Sequence, residues 1–338
     1  MLTNTNEAKL EDYFMIKAGV VGYGNLGRGV CLALDKAADI ENVGIFTRRP
    51  TESIKPVTDV KVYSVSELEK FKGKIDVLIL CGGSATDLPE TTKNYLKDFN
   101  TVDSFDTHAK IPVYFDTLDK IAKDNKKLCA ISIGWDPGLF SIARMLFGAV
   151  LPEGNDYTFW GKGVSQGHSD AIRRIKGVVN AIQYTVPKEA ALGSVRNGEN
   201  PVLTAREKHL RECYVAVEAG ADKARIESEI KNMPNYFADY DTVVNFVTEE
   251  EVKKMQQKLS HGGFVLRSGS TTAENSHLLE FSLKLDSNPE FTGSVLVAYA
   301  RAVARLAAEN KTGALTVFDI PLKYLSPRAE SDLIAKLL

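Results

Sequence analysis

An α/β fold is predicted by three features of the sequence. The glycine pattern Gly22-x-Gly24-x-x-Gly27 in "VVGYGNLGRG" directly follows a β-branched run and directly precedes a helical pattern. From Ile16 to about Ala130, short apolar runs alternate with helical patterns, the rhythm of parallel strands joined by crossover helices. After Pro152 that rhythm stops and strand-like pieces take over. The expected architecture is a Rossmann-type doubly wound parallel sheet followed by a second, α+β domain on an open mixed sheet. A chain of 338 residues also favours two domains over one.

The elements follow in order. Strands are expected at "IKAGVVGY", "NVGIF", "VKVYS", "IDVLILC", "NTVDS" and "LCAISI". Val30, Cys31, Leu34 and Ala38 fall at helical spacing, so a helix should run from the glycine loop to about Ala38. In "GWDPGLFSIARMLFGAV", Asp136 reads as a helix cap and Pro137 as the first helical residue. The second domain should contain strands at "DYTFWGKG", "AIQYTVP", "ECYVAVE" and "DTVVNFV", and a helix "ARIESEIKNMPNYF" halted by Pro234. Asn288 and Pro289 open a long amphipathic helix, "SNPEFTGSVLVAYARAVARLAAEN". The borders drawn are 1–14, an N-terminal arm ahead of Met15 with no role assigned; 15–136, the nucleotide-binding domain; and 137–299, the second domain. The pattern leaves open whether the segment from about 300 to 338 packs back on the first.

Composition narrows the function. A formal charge of -2 with 25% charged residues supplies no field for nucleic acid or an acidic membrane. No apolar run reads as a membrane span and the N-terminus is polar, so a cytoplasmic protein is expected. The four cysteines, Cys31, Cys81, Cys129 and Cys213, are widely spaced, unlike a metal site or a disulfide-stapled module. Small molecules and a second copy of the chain are the expected partners.

The glycine pattern has a physical reading. Gly22 permits a tight turn, Gly24 lets backbone approach a pyrophosphate, and Gly27 lets the helix sit close on the strand. About twenty residues on, where an acidic residue would bind the ribose hydroxyls of NAD, stand Thr47, Arg48 and Arg49. A hydroxyl and two guanidinium groups suit a 2′-phosphate, so the expected cofactor is NADP(H). Gly82 and Gly83 in "LCGGSATD" offer a second close approach. Carboxylates at Asp103, Asp106 and Asp136 fall at expected strand ends, where an open α/β sheet binds its ligand. Each also has an ordinary reading, Asp136 as a helix cap and Asp106 as a turn residue.

Beyond these patterns, the chain from about Ile16 to Leu338 resembles the meso-diaminopimelate D-dehydrogenase family. The resemblance is carried by "VVGYGNLGRG", "GIFTRRP", "CGGSATDLPE", "SIGWDPGLFSI", "TFWGKGVSQGHSDAIRRIKGV", "AIQYTVP", "MPNYF" and "SHGG". It implies a homodimer whose second domain binds substrate and dimerises. It also implies reversible oxidative deamination at the D-centre of meso-2,6-diaminopimelate with NADP⁺. Asp106 and Asp136 would hold the D-centre amino group and serve catalysis. Trp160, Gln166 and Gly167 would shape that end of the pocket; Thr185, Arg211, His261 and Asn275 would bind the distal end. Cofactor contacts are implied at Gly22, Tyr23, Gly24, Asn25, Leu26 and Gly27, at Thr47, Arg48 and Arg49, at Cys81, Gly82, Gly83 and Ser84, and at Ser104, Phe105, Gly134, Trp135 and Pro137. No metal is implied, and His168 is read as structural. The rival readings are a broad-specificity NADP-dependent D-amino acid dehydrogenase and a non-catalytic NADP sensor.

Overall fold

The computed structural model describes residues 15–84 and 86–338. The arm expected at 1–14 lies outside the described residues. The chain forms two units, one comprising the residues up to Leu139 together with Pro289–Leu338, the other Phe140–Asn288.

The first unit opens with β1 (Ile16–Val21), α1 (Asn25–Asp35), β2 (Ile40–Thr47), β3 (Val62–Ser64), β4 (Val77–Leu80), α2 (Leu88–Tyr95), β5 (Thr101–Asp103), α3 (Ile111–Asp124) and β6 (Leu128–Ala130). After α4 (Leu139–Val150), the second unit contains β7 (Gly154–Trp160), β8 (Gly163–Val164), α5 (Gln166–Arg173), β9 (Val178–Pro187), α6 (Glu189–Arg196) and α7 (Ala205–Lys208). It continues through β10 (His209–Val217), α8 (Lys223–Lys231), β11 (Asp241–Phe246), α9 (Glu249–Gln256), β12 (His261–Ser270) and β13 (Ser276–Leu285). The chain then returns to the first unit with α10 (Asn288–Ala308), β14 (Gly313–Leu315) and α11 (Glu330–Leu337).

All six strands expected in the first unit are present. With β14 they form a seven-stranded sheet in the order β14-β6-β5-β4-β1-β2-β3, every pair parallel. Helices cover a doubly wound sheet on both faces, so its strands read as unbroken apolar runs; Val77 to Leu80 are all buried. The order reverses at β1, which pairs with both β2 and β4 and sets a ligand crevice at its carboxyl end. Two expectations are corrected. α1 stops at Asp35, short of Ala38, and α4 begins at Leu139 and not at Pro137, which leaves Asp136 and Pro137 in a turn bridged by Trp135 and Gly138.

The C-terminal segment joins the first unit from Pro289 rather than from about 300. The reason is a close crossing of α1 and α10. A Cβ on Gly29 would lie 2.4 Å from the Pro289 carbonyl oxygen, and one on Gly293 would lie 2.5 Å from the Gly29 carbonyl carbon. Lower down, the buried Arg301 guanidinium donates to both oxygens of Asp39, at 2.6 and 2.8 Å. Burial works to raise the Asp39 carboxyl pKa, but the Arg301 bonds outweigh it and hold it below the ordinary carboxylate range. By length and composition α10 is apolar enough to cross a membrane, contrary to the sequence reading, yet it lies mostly buried as a core helix of this unit.

The second unit holds two sheets where one was expected. A four-stranded mixed sheet runs β11-β10-β9-β8, with β10 and β11 parallel and the other pairs antiparallel. A three-stranded antiparallel sheet runs β13-β12-β7. Its hairpin was not anticipated, although Leu279, Phe281 and Leu283 alternate with Glu280, Ser282 and Lys284 in the period of a half-buried strand. α5 and α8 cover the first sheet through a core that includes Ile172, Cys213, Val215, Ile226 and Phe237.

The α1–α10 crossing leaves no room for a methyl group. Gly29→Ala is expected to destabilise the protein by about 1–3 kcal/mol, the usual cost of overpacking a close contact. An unchanged thermal midpoint would show that the two helices can separate freely at that point.

Candidate active site

One group of candidate residues lies at the carboxyl edge of the parallel sheet, where the glycine loop has the expected geometry. Gly22 has φ +93°. A Cβ on Gly27 would lie 2.2 Å from the Gly22 carbonyl oxygen, while the same atom on Gly24 would meet nothing within 4 Å. Gly24 caps α1 without a side-chain hydrogen bond, so the helix presents backbone N–H groups and the positive end of its dipole to open space. That combination fits a dinucleotide pyrophosphate. Asn25 is exposed and Leu26 half-buried beside it.

At the end of β2 the buried Thr47 hydroxyl accepts from the Arg49 N–H at 3.1 Å and fixes the turn that carries both arginines. The Arg49 guanidinium donates to the carbonyl oxygen of Tyr23, whose own hydroxyl accepts from the Val57 N–H at 2.7 Å. Arg48 reaches Asp87, 3.0 Å away, and the other Asp87 oxygen accepts from the Gly83 N–H at 3.0 Å. Arg48, Arg49 and the loop of Cys81, Gly82 and Gly83 are therefore linked to one another. Both arginines remain exposed, as a phosphate site requires.

The loops after β4, β5 and β6 are also tied together. The Asp106 N–H donates to the Ser84 hydroxyl at 2.8 Å, and Asp106 itself is exposed. Asp103, which the sequence sets at the same strand end as Asp106, is instead fully buried. One of its oxygens accepts from the N–H groups of Phe105 (3.0 Å) and Ser132 (3.2 Å); the other accepts from the Tyr114 hydroxyl (2.6 Å) and the Thr92 hydroxyl (3.2 Å). Burial pushes the Asp103 carboxyl pKa up, against the pull of these bonds. Phe105 turns its ring into the core, stacked on Tyr114 with centroids 4.2 Å apart, so the side chain expected at the cofactor faces away from solvent, while the neighbouring Ser104 is half-buried. Gly134 and Trp135 are buried, and Asp136 and Pro137 are half-buried at the turn before α4.

In the second unit the cross-strand register assembles a separate group. Thr185 pairs with both Gly163 and Arg211, and Gly263 pairs with Trp160. His261 lies over Gly163, where a Cβ would come 2.3 Å from its ring. The chain from Gly163 leads directly into α5, whose first residues are the exposed Gln166 and Gly167. Trp160, Gln166, Gly167, Thr185, Arg211 and His261 are thus brought to one region.

Arg211 dominates this region electrostatically. It is only 7% exposed, donates to the Thr185 hydroxyl, and lies 3.9 Å over the Tyr240 ring, yet pairs with no carboxylate among the described residues. Its Nε has no hydrogen-bond partner among them either. Burial pulls its pKa down from the ordinary arginine value.

Asn275 does not join the group. It sits in the loop joining β12 to β13, where its N–H and side-chain amide bond Thr272, while His261 lies at the opposite end of β12, roughly 30 Å away at strand rise. Asn288 is the asparagine near His261, its N–H donating to the Leu259 carbonyl at 2.8 Å. Sequence reading had used it only as a helix opener. It also passed over His209, whose Nε2 accepts from the Trp160 N–H at 2.9 Å while its ring stacks on the indole at 5.3 Å. No motif marks such a contact. His168 makes a 2.7 Å bond to the Ser165 hydroxyl and packs edge-on against Tyr236 and Phe237, in keeping with a structural role.

Comparison with known proteins places these features in context. The family model for the diaminopimelic acid dehydrogenase C-terminal domain matches residues 134–287. Meso-diaminopimelate D-dehydrogenase of Ureibacillus thermosphaericus is 57% identical over 323 residues, covering 96% of this chain and 99% of that protein. A variant of the Clostridium tetani E88 enzyme, solved with diaminopimelate, is 52% identical with a TM-score of 0.91, over 96% of this chain and 100% of that one. An engineered D-amino acid dehydrogenase bound to NADP⁺ is 41% identical with a TM-score of 0.84, over the same shares.

Two imidazoles, His209 buried and His168 half-buried, set an acid limit on stability. Burial, then the Arg211 charge, lowers the His168 pKa to about 4 and the His209 pKa to about 3. Unfolded, each ring takes a proton near pH 6.5. Their contribution is therefore full above about pH 6.5 and is lost as pH falls from there towards 3–4. Denaturant unfolding between pH 7.5 and 4.5 should show falling stability, with a slope reduced by up to about 1.4 kcal/mol per pH unit in His209→Gln or His168→Gln. Equal slopes in wild type and both variants would mean that neither ring is held neutral.

Proposed function

The chain belongs to the meso-diaminopimelate D-dehydrogenase family, and from that premise we propose that it catalyses the reversible, NADP-dependent oxidative deamination of meso-2,6-diaminopimelate at its D-centre. Substrate, NADP⁺ and water give L-2-amino-6-oxopimelate, ammonia, NADPH and a proton. When bound, the nicotinamide supplies the acceptor for the hydride leaving the D-centre Cα. The protein's part is to hold, orient and desolvate the substrate.

The observation that carries the reading is the buried Arg211 guanidinium, which meets the Thr185 hydroxyl and the Tyr240 ring but no carboxylate among the described residues. A buried cation is costly unless its charge is met. The distal carboxylate of diaminopimelate would meet it with two parallel hydrogen bonds, and a D-amino acid lacking that group would leave it unmet. Thr185, bonded to Arg211, and His261, over Gly163, take the remaining polar atoms of the L-configured end. Asn288 is the asparagine proposed for that end in place of Asn275. At the D-centre, Asp106 and Asp136 accept hydrogen bonds from the amino group, and one of them takes the proton of the water that attacks the imine. Trp160, held by His209, walls this end together with Gln166 and Gly167.

For the cofactor, Arg48 and Arg49 are proposed to bind the 2′-phosphate. The NADP⁺ bound to the engineered D-amino acid dehydrogenase supports that choice. A homodimer and a cytoplasmic location complete the proposal, as the family resemblance implies.

The test is reduction of NADP⁺ and of NAD⁺ with meso-, LL- and DD-diaminopimelate and with D-alanine. Turnover of the meso isomer with NADP⁺, at least about tenfold above every other pair, is expected. Comparable rates on D-alanine would favour a broad-specificity enzyme, and no turnover at all would refute the proposal. Replacing Arg48 and Arg49 together by alanine should weaken NADP⁺ binding by about tenfold or more and leave NAD⁺ binding little changed. An equal loss for both cofactors would count against the phosphate assignment.

A further inference from the structure

We propose that Asp103 is a positioning residue for the reaction, a buried clamp that fixes the loop carrying Asp106 against the loop leading to Asp136 and holds Ser132 in the left-handed conformation that turns the second loop. The inference rests on the reading that Asp106 and Asp136 receive the D-centre amino group, and it deepens that reading.

The geometry is specific. Oδ1 of Asp103 accepts from two backbone N–H groups on different loops, those of Phe105 and Ser132. Phe105 immediately precedes Asp106, and Ser132 lies four residues before Asp136. Oδ2 is held from below by the Tyr114 and Thr92 hydroxyls, and Tyr114 also stacks on Phe105. The Asp103 carbonyl oxygen adds a bond from the Ile133 N–H at 2.9 Å. A side chain that links two strand-end loops in this way is hard to replace. An aliphatic residue would leave two fixed backbone donors buried without partners, and an amide offers one acceptor oxygen where the carboxylate offers two.

Ser132 supplies the second observation. Its φ is +57°, a conformation that β-carbon sterics disfavour for any residue but glycine. It is 6% exposed, and its hydroxyl has no hydrogen-bond partner among the described residues, so its own side chain does not explain the conformation. Backbone held in such a state persists only where its surroundings over-determine it, and such states gather at functional sites. The bond from the Ser132 N–H to Asp103 is the contact that does so here. The ammonium-binding carboxylates are thus set by a third carboxylate that does not itself touch the substrate.

A purely structural aspartate would affect everything alike, whereas a clamp on these two loops should affect the substrate more than the cofactor, which the glycine loop and the arginine pair also hold. Asp103→Ala, Asp103→Asn, Ser132→Gly, the double variant Asp103→Ala/Ser132→Gly and Asp106→Asn are compared in the full-length enzyme. Each is measured for kcat and KM with meso-diaminopimelate, for NADP⁺ affinity by titration and for thermal midpoint. Asp103→Ala is expected to lower kcat/KM by about tenfold or more, since small misplacements of reacting groups are expensive. NADP⁺ affinity should change by less than about threefold, because the glycine loop and both arginines are anchored by other bonds even where Ser104, Gly134 and Trp135 shift with the clamped loops. Asp103→Asn, which keeps one oxygen for both backbone donors, should fall between wild type and alanine.

Ser132→Gly alone should stay close to wild type, and in the alanine background it should recover about threefold or more, because glycine takes a positive φ without the clamp. Parallel losses in turnover and NADP⁺ affinity, no loss in Asp103→Ala, or a double variant no better than Asp103→Ala would each overturn the proposal. If Asp103→Ala does not fold, Tyr114→Phe takes its place, removing the 2.6 Å bond to Oδ2 alone. A several-fold loss in kcat/KM at unchanged NADP⁺ affinity then supports the clamp, and unchanged kcat/KM overturns it. Full activity in Asp106→Asn would overturn the underlying reading and the clamp with it. An impaired Asp106→Asn beside an unaffected Asp103→Ala would leave the reading standing and sink the clamp alone.

Discussion

The polarity of a parallel sheet is the constraint from which the first unit's chemistry follows. Seven strands that all run the same way bring every strand-to-helix loop to one edge. The glycine loop after β1, the arginine pair after β2, and the loops of Ser84, Asp106 and Asp136 after β4, β5 and β6 are neighbours for that reason, although they span more than a hundred residues of sequence. Hydrogen bonds then fix them against one another. The Thr47, Tyr23 and Asp87 contacts hold the arginines, and the Ser84 and Asp103 contacts hold the loops that bear the carboxylates. Sheet topology supplies rough placement and the side chains refine it.

The second unit solves a different problem, that of keeping a cation in a nearly dry place. Arg211 loses hydration without gaining a protein carboxylate among the described residues, and what it has instead is the Thr185 hydroxyl and the face of Tyr240. Stacking suits a guanidinium better than an ammonium because the group is planar and weakly hydrated. The nearby imidazoles of His168 and His209 stay neutral partly because that charge is there. The burial of one cation and the neutrality of its neighbours are therefore one arrangement.

How much of this was legible in the sequence depends on how local each cause is. The glycine loop was readable because each glycine has its own steric task within six residues. The central strands, β4 above all, were readable because burial on both faces demands nearly unbroken apolar runs. β14 was not, since "GAL" carries no periodicity and its place is set by bonds from distant residues, such as Asp119 accepting from the Ala314 N–H. The role of Asp103 was illegible for a similar reason: its donors are residues 92, 105, 114 and 132, and only the fold brings them together. Asn275 failed in the opposite way, a plausible residue type placed by the β12–β13 hairpin at the wrong end of a long strand. His209 shows the limit of motif reading, because a ring that supports another ring leaves no spacing rule behind.

The first unit is made of two stretches separated by the whole of the second. As the chain leaves the ribosome, β6 must wait for about 180 further residues before β14 arrives to cover its edge. Until then an apolar parallel edge stands open, the kind of surface on which strands of other chains can add. The closing contacts, Gly293 against Gly29 and Arg301 on Asp39, come from the same late segment. The sheet is thus sealed by a latch made after the whole of the second unit, and a message truncated before it would yield an unsealed sheet and a second unit already complete in sequence.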